Sequence, residues 1–375
     1  MAQAGPSLQC WDKPAAVAAG NRPGATSPSH TSVSWPFAKM PPKMTLDVEE
    51  IDNAASVSMT WSIDPSGTMR HKGTGLKVST DEGITFEGHE YRLSPQDIEL
   101  DSSSHLGAGA GGVVQKGKIK TTGVAVAVKT VKVDDKGKRE QLLNEIRGLV
   151  QAEGCPHLVQ WYAGFVSKKT NAVHVALEFM DLGSLADLKK RFGGQGVPPH
   201  HLACITSQIM KGLNHLHDKK MLHRDIKPEN ILHNRLGQVK LTDFGIAKDL
   251  DTTLAMAGTF VGTVTYMSPE RCLGQDYSLA SDIWSVGMVI YELATGRYPF
   301  ADISTIPILF EHLCDKPEPR LDPLAHPADL CDFVAACLTR DVAKRQDTPH
   351  LCRHAFVGPS AGTQEDLAAM LATLV

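Results

Sequence analysis

The feature that most limits the fold of this 375-residue chain is a change of hydrophobic periodicity near residue 183. Before it, β-branched runs at 98–100, 112–119, 123–133 and 174–179 predict strands, the first three antiparallel around a glycine cluster. After it, apolar residues recur with helical spacing, most clearly at Leu202, Ile205, Ile209, Leu213 and Leu216. We therefore expect a small sheet-rich lobe followed by a larger helical lobe.

Three further segments predict helices. Residues 138–152 place Leu142, Leu143, Ile146 and Leu149 on one face, which predicts a single helix within the sheet-rich lobe. Residues 281–295 and 328–339 predict helices of the second lobe. The C-terminal residues 364–375 are compatible with an amphipathic helix that packs on the domain or on a partner.

Composition excludes several functional classes. The chain is 42% hydrophobic and 21% charged with a net charge of −4, so we expect no nucleic-acid partner. No apolar run approaches the roughly 18 residues of a membrane span, so we expect no membrane insertion. The eight cysteines include no C-x-x-C pair, which favours reduced thiols and a cytoplasmic protein, with the nucleus as a second compartment.

Residues 1–88 differ in composition from the rest of the chain. The part before Asp47 is rich in Pro, Ala, Ser and Gly, and Asp12 is its only acid. We interpret 1–88 as a disordered regulatory or docking segment. An acid-poor start is also typical of a transit peptide, so that alternative stays open.

A glycine cluster lies between two predicted strands. Gly107, Gly109 and Gly112 follow the order G-x-G-x-x-G-x-V, which ends at Val114. In a dinucleotide-binding fold such glycines open a helix, whereas here a β-branched run follows. This context favours a loop whose backbone N–H groups fold over phosphates, against a glycine-rich hairpin without a ligand.

A lysine closes the strand run A-V-A-V-K. An inward-facing Lys129 among valines is costly unless it has a charged partner. Glu145 on the predicted helix is available for an ion pair that would aim the ammonium at phosphates. The alternative is an unpaired lysine on an edge strand.

The most specific motif is L-H-R-D-I-K-P-E-N-I-L at residues 222–232. Phosphoryl transfer needs positioning and charge neutralisation more than covalent chemistry. Asp225 would accept or orient the proton of the attacking hydroxyl, and Lys227 would balance charge on the transferred group. Asn230, together with Asp243 of T-D-F-G, would supply oxygen ligands for Mg²⁺.

Two acidic residues further along the chain are predicted to be structural. Glu270 of S-P-E should be buried and need a cation, for which Arg345 is the candidate. Asp282 of S-D-I-W-S-V-G is expected to anchor the catalytic loop from the helical lobe.

These motifs resemble the eukaryotic protein kinase set in the order of that family, from about residue 98 to residue 357. The resemblance implies an α+β, two-lobed kinase fold with an antiparallel-sheet N-lobe at 98–178, a helical C-lobe at 181–357 and a C-terminal tail at 358–375. It implies Mg-ATP as cofactor and Leu177 as gatekeeper. The residues it implies for ATP binding are Leu106, Gly107, Ala108, Gly109, Ala110, Gly111, Gly112, Val114, Ala127, Lys129, Glu178 and Met180.

A narrower resemblance concerns the stretches L-E-F-M-D-L-G-S-L-A-D-L and T-F-V-G-T-V-T-Y-M-S-P-E-R-C. They are similar to the MAP kinase kinase family, whose members phosphorylate Thr and Tyr in the activation loop of a MAP kinase. The resemblance implies a downstream MAP kinase and an upstream MAP kinase kinase kinase as partners. The alternatives are another Ste-type Ser/Thr kinase or a pseudokinase scaffold.

The loop between T-D-F-G and S-P-E carries several threonines. Thr253 and Thr259 are spaced as S/T-x₅-S/T, which resembles the plant-type phosphorylation switch, while Ala255 occupies the first position of the animal-type spacing. A phosphothreonine carries about −1.5 to −2 charge, and Arg224 is a ready partner. Whether Thr252 or Thr253 is the first site stays open.

A loose docking pattern precedes the kinase motifs. Basic residues 70–72, followed by Leu76-x-Val78, resemble the sequence that binds MAP kinases, in which a cation cluster precedes two apolar anchors. Residues 43–46 are a weaker candidate for the same role.

Overall fold

The regular elements were located in a computed structural model of the chain. It describes residues 61–63, 68–72, 75–79, 83–86, 89–91, 95–109, 112–133, 142, 146, 148–150, 153–167, 172–244, 265–358 and 362–374. Within these residues no helix has both the length and the apolar character that crossing a membrane requires.

The small lobe contains a five-stranded antiparallel sheet in the order β6-β7-β8-β10-β9. Its strands are β6 Ile98–Gly109, β7 Gly112–Ile119, β8 Ala125–Lys132, β9 Trp161–Ser167 and β10 Ala172–Glu178. Side chains alternate along β8, so that Val126 and Val128 pack in a small cluster with Ile98, while Val131 belongs to the main core. The four predicted strands are confirmed, and β9 is an additional strand.

The predicted helix of the small lobe is described at residues 142, 146 and 148–150, all of which are helical. Leu142, Ile146 and Leu149 are buried in the main core. The apolar face that the periodicity indicated is therefore turned towards the domain interior at these three positions.

A second five-stranded sheet precedes the first and corrects the prediction of disorder. Its strands follow chain order: β1 Trp61–Ile63, β2 Met69–His71, β3 Lys77–Val78, β4 Ile84–Phe86 and β5 His89–Tyr91. Leu76, Val78 and Ile84 are fully buried, and the Ser79 carbonyl accepts a 3.2 Å hydrogen bond from the Val166 N–H of β9. Disorder was predicted wrongly for the described residues between 61 and 88, because their few apolar residues find a core only through tertiary contact.

This burial also contradicts the docking interpretation of the same segment. Leu76 and Val78 were to serve as apolar anchors for a partner, yet both have 0% exposure. Residues 43–46 lie outside the described part of the chain.

The large lobe is mostly helical and carries one short hairpin. The helices are α1 Leu185–Arg191, α2 Pro199–Asp218, α3 Pro269–Cys272, α4 Leu279–Thr295, α5 Ile306–Cys314, α6 Ala328–Cys337, α7 Thr348–Leu351 and α8 Gln364–Ala372. The hairpin pairs β11 Ile231–His233 with β12 Val239–Leu241. The apolar stripe predicted for α2 is buried throughout, and the predicted helices at 281–295 and 328–339 correspond to α4 and α6.

The C-terminal segment folds onto the helical lobe. Helix α8 begins with a capping box between Thr363 and Asp366, and its Leu367 and Leu371 are buried. The Gln364 side chain donates a 2.9 Å hydrogen bond to the Leu236 carbonyl. Residues 362–374 are therefore part of the domain and not a free tail.

Candidate active site

The catalytic loop connects α2 to β11 and brings three predicted residues together. The Lys227 ammonium lies 3.0 Å from Oδ2 of Asp225, and the Asn230 amide donates to the same oxygen at 2.8 Å. Asn230 also donates to the backbone carbonyl of Asp225 at 2.8 Å. A short 3₁₀ turn, Pro228–Asn230, bends the chain so that Asn230 lies against Asp225. The Asp225 carboxylate is thus held between a cation and an amide.

A second carboxylate lies on the neighbouring segment. Oδ1 of Asp243 is 2.7 Å from the ammonium of Lys129, whose side chain is 4% exposed. The Thr242 N–H donates to the Asn230 carbonyl at 3.0 Å, so the backbone just before Asp243 runs beside Asn230. Strand β8 of the small lobe and the two loops of the large lobe therefore meet at this point.

Buried lysine needs compensation, and Asp243 provides it here. The partner predicted for Lys129 was Glu145, which lies outside the described residues, as do Ala110, Gly111, Thr253 and Thr259. Their roles stay predictions.

Asp282 at the start of α4 holds the catalytic loop in place. Its two carboxylate oxygens accept hydrogen bonds from the His223 and Arg224 N–H groups, each at 2.9 Å. The Tyr277 hydroxyl at 2.8 Å and Nε2 of His217 at 2.9 Å complete the set. The prediction that Asp282 anchors the loop is confirmed.

Burial alone would favour the neutral acid at Asp282. The hydrogen bond and charge of His217, with smaller contributions from His223, nevertheless hold the pKa of Asp282 below its ordinary value. Burial lowers the pKa of His223, which favours a neutral imidazole next to Asp225. The anchor is thus an ionised carboxylate at neutral pH.

Two residues of the site have a strained backbone. Arg224 and Asp243 adopt left-handed conformations, with φ of 69° and 58°. Such conformations are costly for residues other than glycine and are found mostly where a site needs them. Arg224 directly precedes Asp225, and Asp243 carries the carboxylate that pairs with Lys129.

The predicted phosphate loop lies in the hairpin of β6 and β7. Gly107 is paired with Val114, Ala108 with Val113 and Gly109 with Gly112, so the glycines occupy the tip of a strand pair and do not open a helix. A Cβ on Gly112, where φ is 116°, would lie 2.1 Å from the Thr130 carbonyl oxygen. Leu106 at this hairpin is exposed and Val114 is half-buried.

The predicted adenine side of the site joins the two lobes. Leu177 and Met180 are buried, and Ala127 is half-buried against the main core. The Glu178 side chain forms an ion pair with Lys240 of β12, at 2.7 Å and 2.8 Å, and its N–H donates to the Gln160 carbonyl. The side chain of Glu178 is therefore used to connect β10 to the large lobe.

A buried ion pair supports the segment that follows the threonine-rich loop. Arg345 donates two hydrogen bonds to Glu270, at 2.8 Å and 3.0 Å, and the side chains are 0% and 6% exposed. Ser281 donates to the same carboxylate at 2.8 Å. The predicted pairing of Glu270 with Arg345 is confirmed.

Two polar clusters were missed by the sequence analysis. Glu292, buried in α4, accepts from the Tyr266 hydroxyl at 2.5 Å and pairs with Lys189. The second cluster is the ion pair between Lys240 and Glu178. The available signal was a charged residue within an otherwise apolar element, which is the argument that identified Lys129.

Comparison with known proteins agrees with this geometry. A family described as protein kinase domain matches residues 100–357. The chain is 40% identical over 278 residues to the "Mitogen-activated protein kinase kinase SIPKK" of Nicotiana tabacum, covering 71% of this chain and 76% of that protein. It is 38% identical over 321 residues to "Mitogen-activated protein kinase kinase 2" of Arabidopsis thaliana, covering 81% and 86%.

The chain belongs to the MAP kinase kinase family. A more distant relative, the "Dual specificity protein kinase FUZ7" of Mycosarcoma maydis, is 30% identical over 388 residues and is covered to 88%. The two-lobed α+β fold predicted from the motifs is that of this family. The chain is accordingly an ATP-dependent protein kinase that acts in signal transduction.

The residues of this MAP kinase kinase fit ATP and a divalent metal. Asp243 uses one oxygen for Lys129 and its side chain is 36% exposed, and among the described residues no hydrogen bond reaches its other oxygen. The Asn230 amide donates through its nitrogen, which leaves its oxygen as a possible ligand. Carboxylate and amide oxygens are the ligands that Mg²⁺ prefers, so the donor set suits this ion.

Proposed function

We propose that this MAP kinase kinase has dual specificity, transferring the γ-phosphate of ATP to both a threonine and a tyrosine in the activation loop of a MAP kinase. The observation that carries the transfer chemistry is the Asp225 carboxylate, held between Lys227 and Asn230. Dual specificity is supported by the name of the relative FUZ7 and by the T-F-V-G-T-V-T-Y-M-S-P-E-R-C stretch.

Each residue of the cluster has a defined task in this proposal. Asp225 orients the attacking hydroxyl and accepts its proton, since phosphoryl transfer depends mainly on positioning. Lys227 offsets negative charge on the group in transfer, and Lys129 binds phosphate oxygens. Asn230 and Asp243 hold Mg²⁺, which when bound neutralises charge on the phosphates.

The pseudokinase scaffold, one of the two alternatives, lacks a motivating observation. Lys129, Asp225, Asn230 and Asp243 are all present and arranged around one point. Another Ste-type kinase remains the meaningful competitor, because it would use the same cluster on different substrates. The two differ only in which hydroxyls receive phosphate.

The proposed switch is phosphorylation of Thr253 and Thr259 by an upstream MAP kinase kinase kinase. Arg224 supports this proposal, because among the described residues no hydrogen bond or ion pair occupies its guanidinium, while its N–H donates to Asp282. A phosphothreonine would find a positioned cation directly beside Asp225. We place this signalling step in the cytoplasm, and also in the nucleus.

The decisive experiment is a transfer assay with site-resolved phosphopeptide mapping. The enzyme would carry Thr253→Glu and Thr259→Glu, and the substrate would be a catalytically inactive MAP kinase with Mg-ATP. Phosphate on both the threonine and the tyrosine of its T-x-Y loop is the expected result. Phosphate on Ser or Thr of generic substrates only would identify a different Ste-type kinase.

The switch is tested separately in the otherwise unchanged chain. After incubation with an upstream kinase, Thr259→Ala is expected to abolish activation and Thr253→Ala to impair it. Thr252→Ala decides between the two candidates for the first site: normal activation assigns it to Thr253, and impaired activation assigns it to Thr252. Full activation of the Thr259→Ala variant would refute the proposed switch while leaving the transfer chemistry intact.

A further inference from the structure

Two thiols lie where helices α3 and α5 contact each other. Cys272 ends α3 and Cys314 ends α5. Sγ of Cys314 donates to the Pro269 carbonyl at 3.8 Å. Pro269 is three residues before Cys272 and on the same face of α3, so Cys314 lies against the face that carries Cys272. The two thiols are close enough for each to shift the pKa of the other.

The two sulfurs have unequal acidity. The hydrogen bond with Cys272 lowers the pKa of Cys314, although burial acts in the opposite direction. The same hydrogen bond and burial raise the pKa of Cys272. Cys314 therefore forms the thiolate first, and Cys272 stays a protonated neighbour. Both residues are half-buried, so a small oxidant has access.

The other described cysteines lack this arrangement. Burial raises the pKa of five of them, namely Cys155, Cys204, Cys331, Cys337 and Cys352. Since the thiolate is the form that reacts with peroxide, these thiols should be comparatively inert. The contrast singles out Cys314 as the reactive sulfur.

We propose that Cys272 and Cys314 form a modification site at which hydrogen peroxide converts the two thiols into an intramolecular disulfide. The Cys314 thiolate attacks one peroxide oxygen, the O–O bond breaks, and the departing hydroxide takes a proton to become water. The resulting sulfenic acid is attacked by the Cys272 sulfur, whose proton leaves with the hydroxyl as a second water. Each thiol loses one electron, and peroxide gains two.

The position of this site gives the modification a structural consequence. Helix α3 follows the loop that carries the proposed phosphorylation sites, and Tyr298 donates its hydroxyl to the carbonyl of Thr265, which comes directly after that loop. Tyr298, Phe300 and His312 form successive edge-to-face contacts that lead to α5. A disulfide would add a covalent link between α5 and the segment that follows the loop.

The test is peptide mapping of the full chain after exposure to hydrogen peroxide, with free thiols then blocked by N-ethylmaleimide. Trypsin cuts after Arg271, Arg297 and Arg320, so the two cysteines fall on separate peptides, 272–297 and 298–320, each with no other cysteine. The expected product is these two peptides joined, with a mass lower by two hydrogen atoms, and it should disappear after reduction. The readout is independent of kinase activity and hence of the proposed function.

Matched variants assign the two roles. Cys272→Ser should abolish the joined product and leave Cys314 as a trappable sulfenic acid, whereas Cys314→Ser should leave Cys272 reduced. Cys331→Ser, another half-buried thiol, should retain the joined product. Complete alkylation of both peptides after peroxide treatment of the unchanged chain, or linkage of Cys314 to any third cysteine, would overturn the proposal.

Discussion

The carboxylates that anchor the large lobe and Asp243 of the catalytic cluster differ in how completely they are satisfied. Asp282 has 0% exposure and accepts four hydrogen bonds, which fill the acceptor sites of a carboxylate. Glu270 is similarly enclosed by Arg345 and Ser281. Asp243, in contrast, is 36% exposed and has one described partner, the Lys129 ammonium.

The difference separates structural from chemical roles. A buried carboxylate with all its hydrogen bonds made has no capacity for a substrate, so its contribution is to fix neighbouring segments. A partly exposed carboxylate next to a cation can exchange partners when a ligand arrives. Both kinds lie within one continuous network, since Asp282 holds the backbone of His223 and Arg224, directly before Asp225.

The largest effect is expected for Asp225→Asn. The change removes the proposed proton acceptor but keeps the shape of the side chain, so kcat should fall about 10²–10⁴-fold with little change in thermal stability. The measurement combines phosphate transfer to an inactive MAP kinase with a melting curve. Asp332→Asn, at a carboxylate 79% exposed on α6, is the control and should leave both quantities unchanged. Unchanged kcat in Asp225→Asn would refute the chemical role of this carboxylate.

Arg345→Met should affect stability most strongly. It leaves Glu270 buried without its cation, which costs about 3–5 kcal/mol of the free energy of unfolding. Arg297→Met, which removes an exposed ion pair with Asp302, should cost only about 0–1 kcal/mol. Urea denaturation of both variants measures the contrast, and equal losses would mean that burial of the Glu270–Arg345 pair is not what matters.

Asp282→Asn probes the connection between the two kinds of carboxylate. The amide keeps one acceptor oxygen but replaces the other by a donor that faces N–H groups or His217, so we expect a loss of about 1–3 kcal/mol in stability. Because the catalytic loop loses its anchor, kcat should fall together with stability at a temperature where the variant is still folded. A stability loss without any change in kcat would show that the loop does not depend on this anchor.

The smallest effect is expected from acidification. The pKa of Glu270 is held below its ordinary value of 4.5 by Arg345 against the opposing effect of burial, and the pKa of Asp282 is also lowered. Groups with a depressed folded-state pKa stabilise the fold above the unfolded-state pKa, and this stabilisation is lost as the pH falls through the folded-state pKa. The melting temperature should therefore decrease when the pH is lowered below about 4.5. In Glu270→Gln, the melting temperature should depend less on pH. An identical pH dependence in Glu270→Gln would assign the acid loss to other groups.

Much of the site followed from residue type and spacing. Asp225, Lys227 and Asn230 lie within six residues of chain, so their proximity needed only a local turn. The pairing of Glu270 with Arg345 followed from the requirement that a buried charge be compensated. The side-chain partner of Glu178 was not foreseen, since Lys240 is 62 residues away and only the approach of β12 to β10 brings it near.

The N-terminal sheet shows the opposite case. Residues 61–91 contain few apolar residues, and no strand among them exceeds three residues in length, so periodicity carried almost no signal. Their burial depends on β9, which itself lacked a β-branched run and was not predicted. Apolar anchors of a docking sequence and buried core residues have the same composition, and only the observed burial of Leu76 and Val78 separates them.

The class of fold, the catalytic loop and the family could be predicted from the residues alone, because they depend on local periodicity and on residues whose chemistry is specific. The folded chain was needed to show which charges pair across the lobes, that residues 61–91 form a sheet, and that Cys314 lies against the helix that carries Cys272. The physical reason is that burial and ion pairing depend on distances between segments far apart in the chain, which residue type and spacing do not specify.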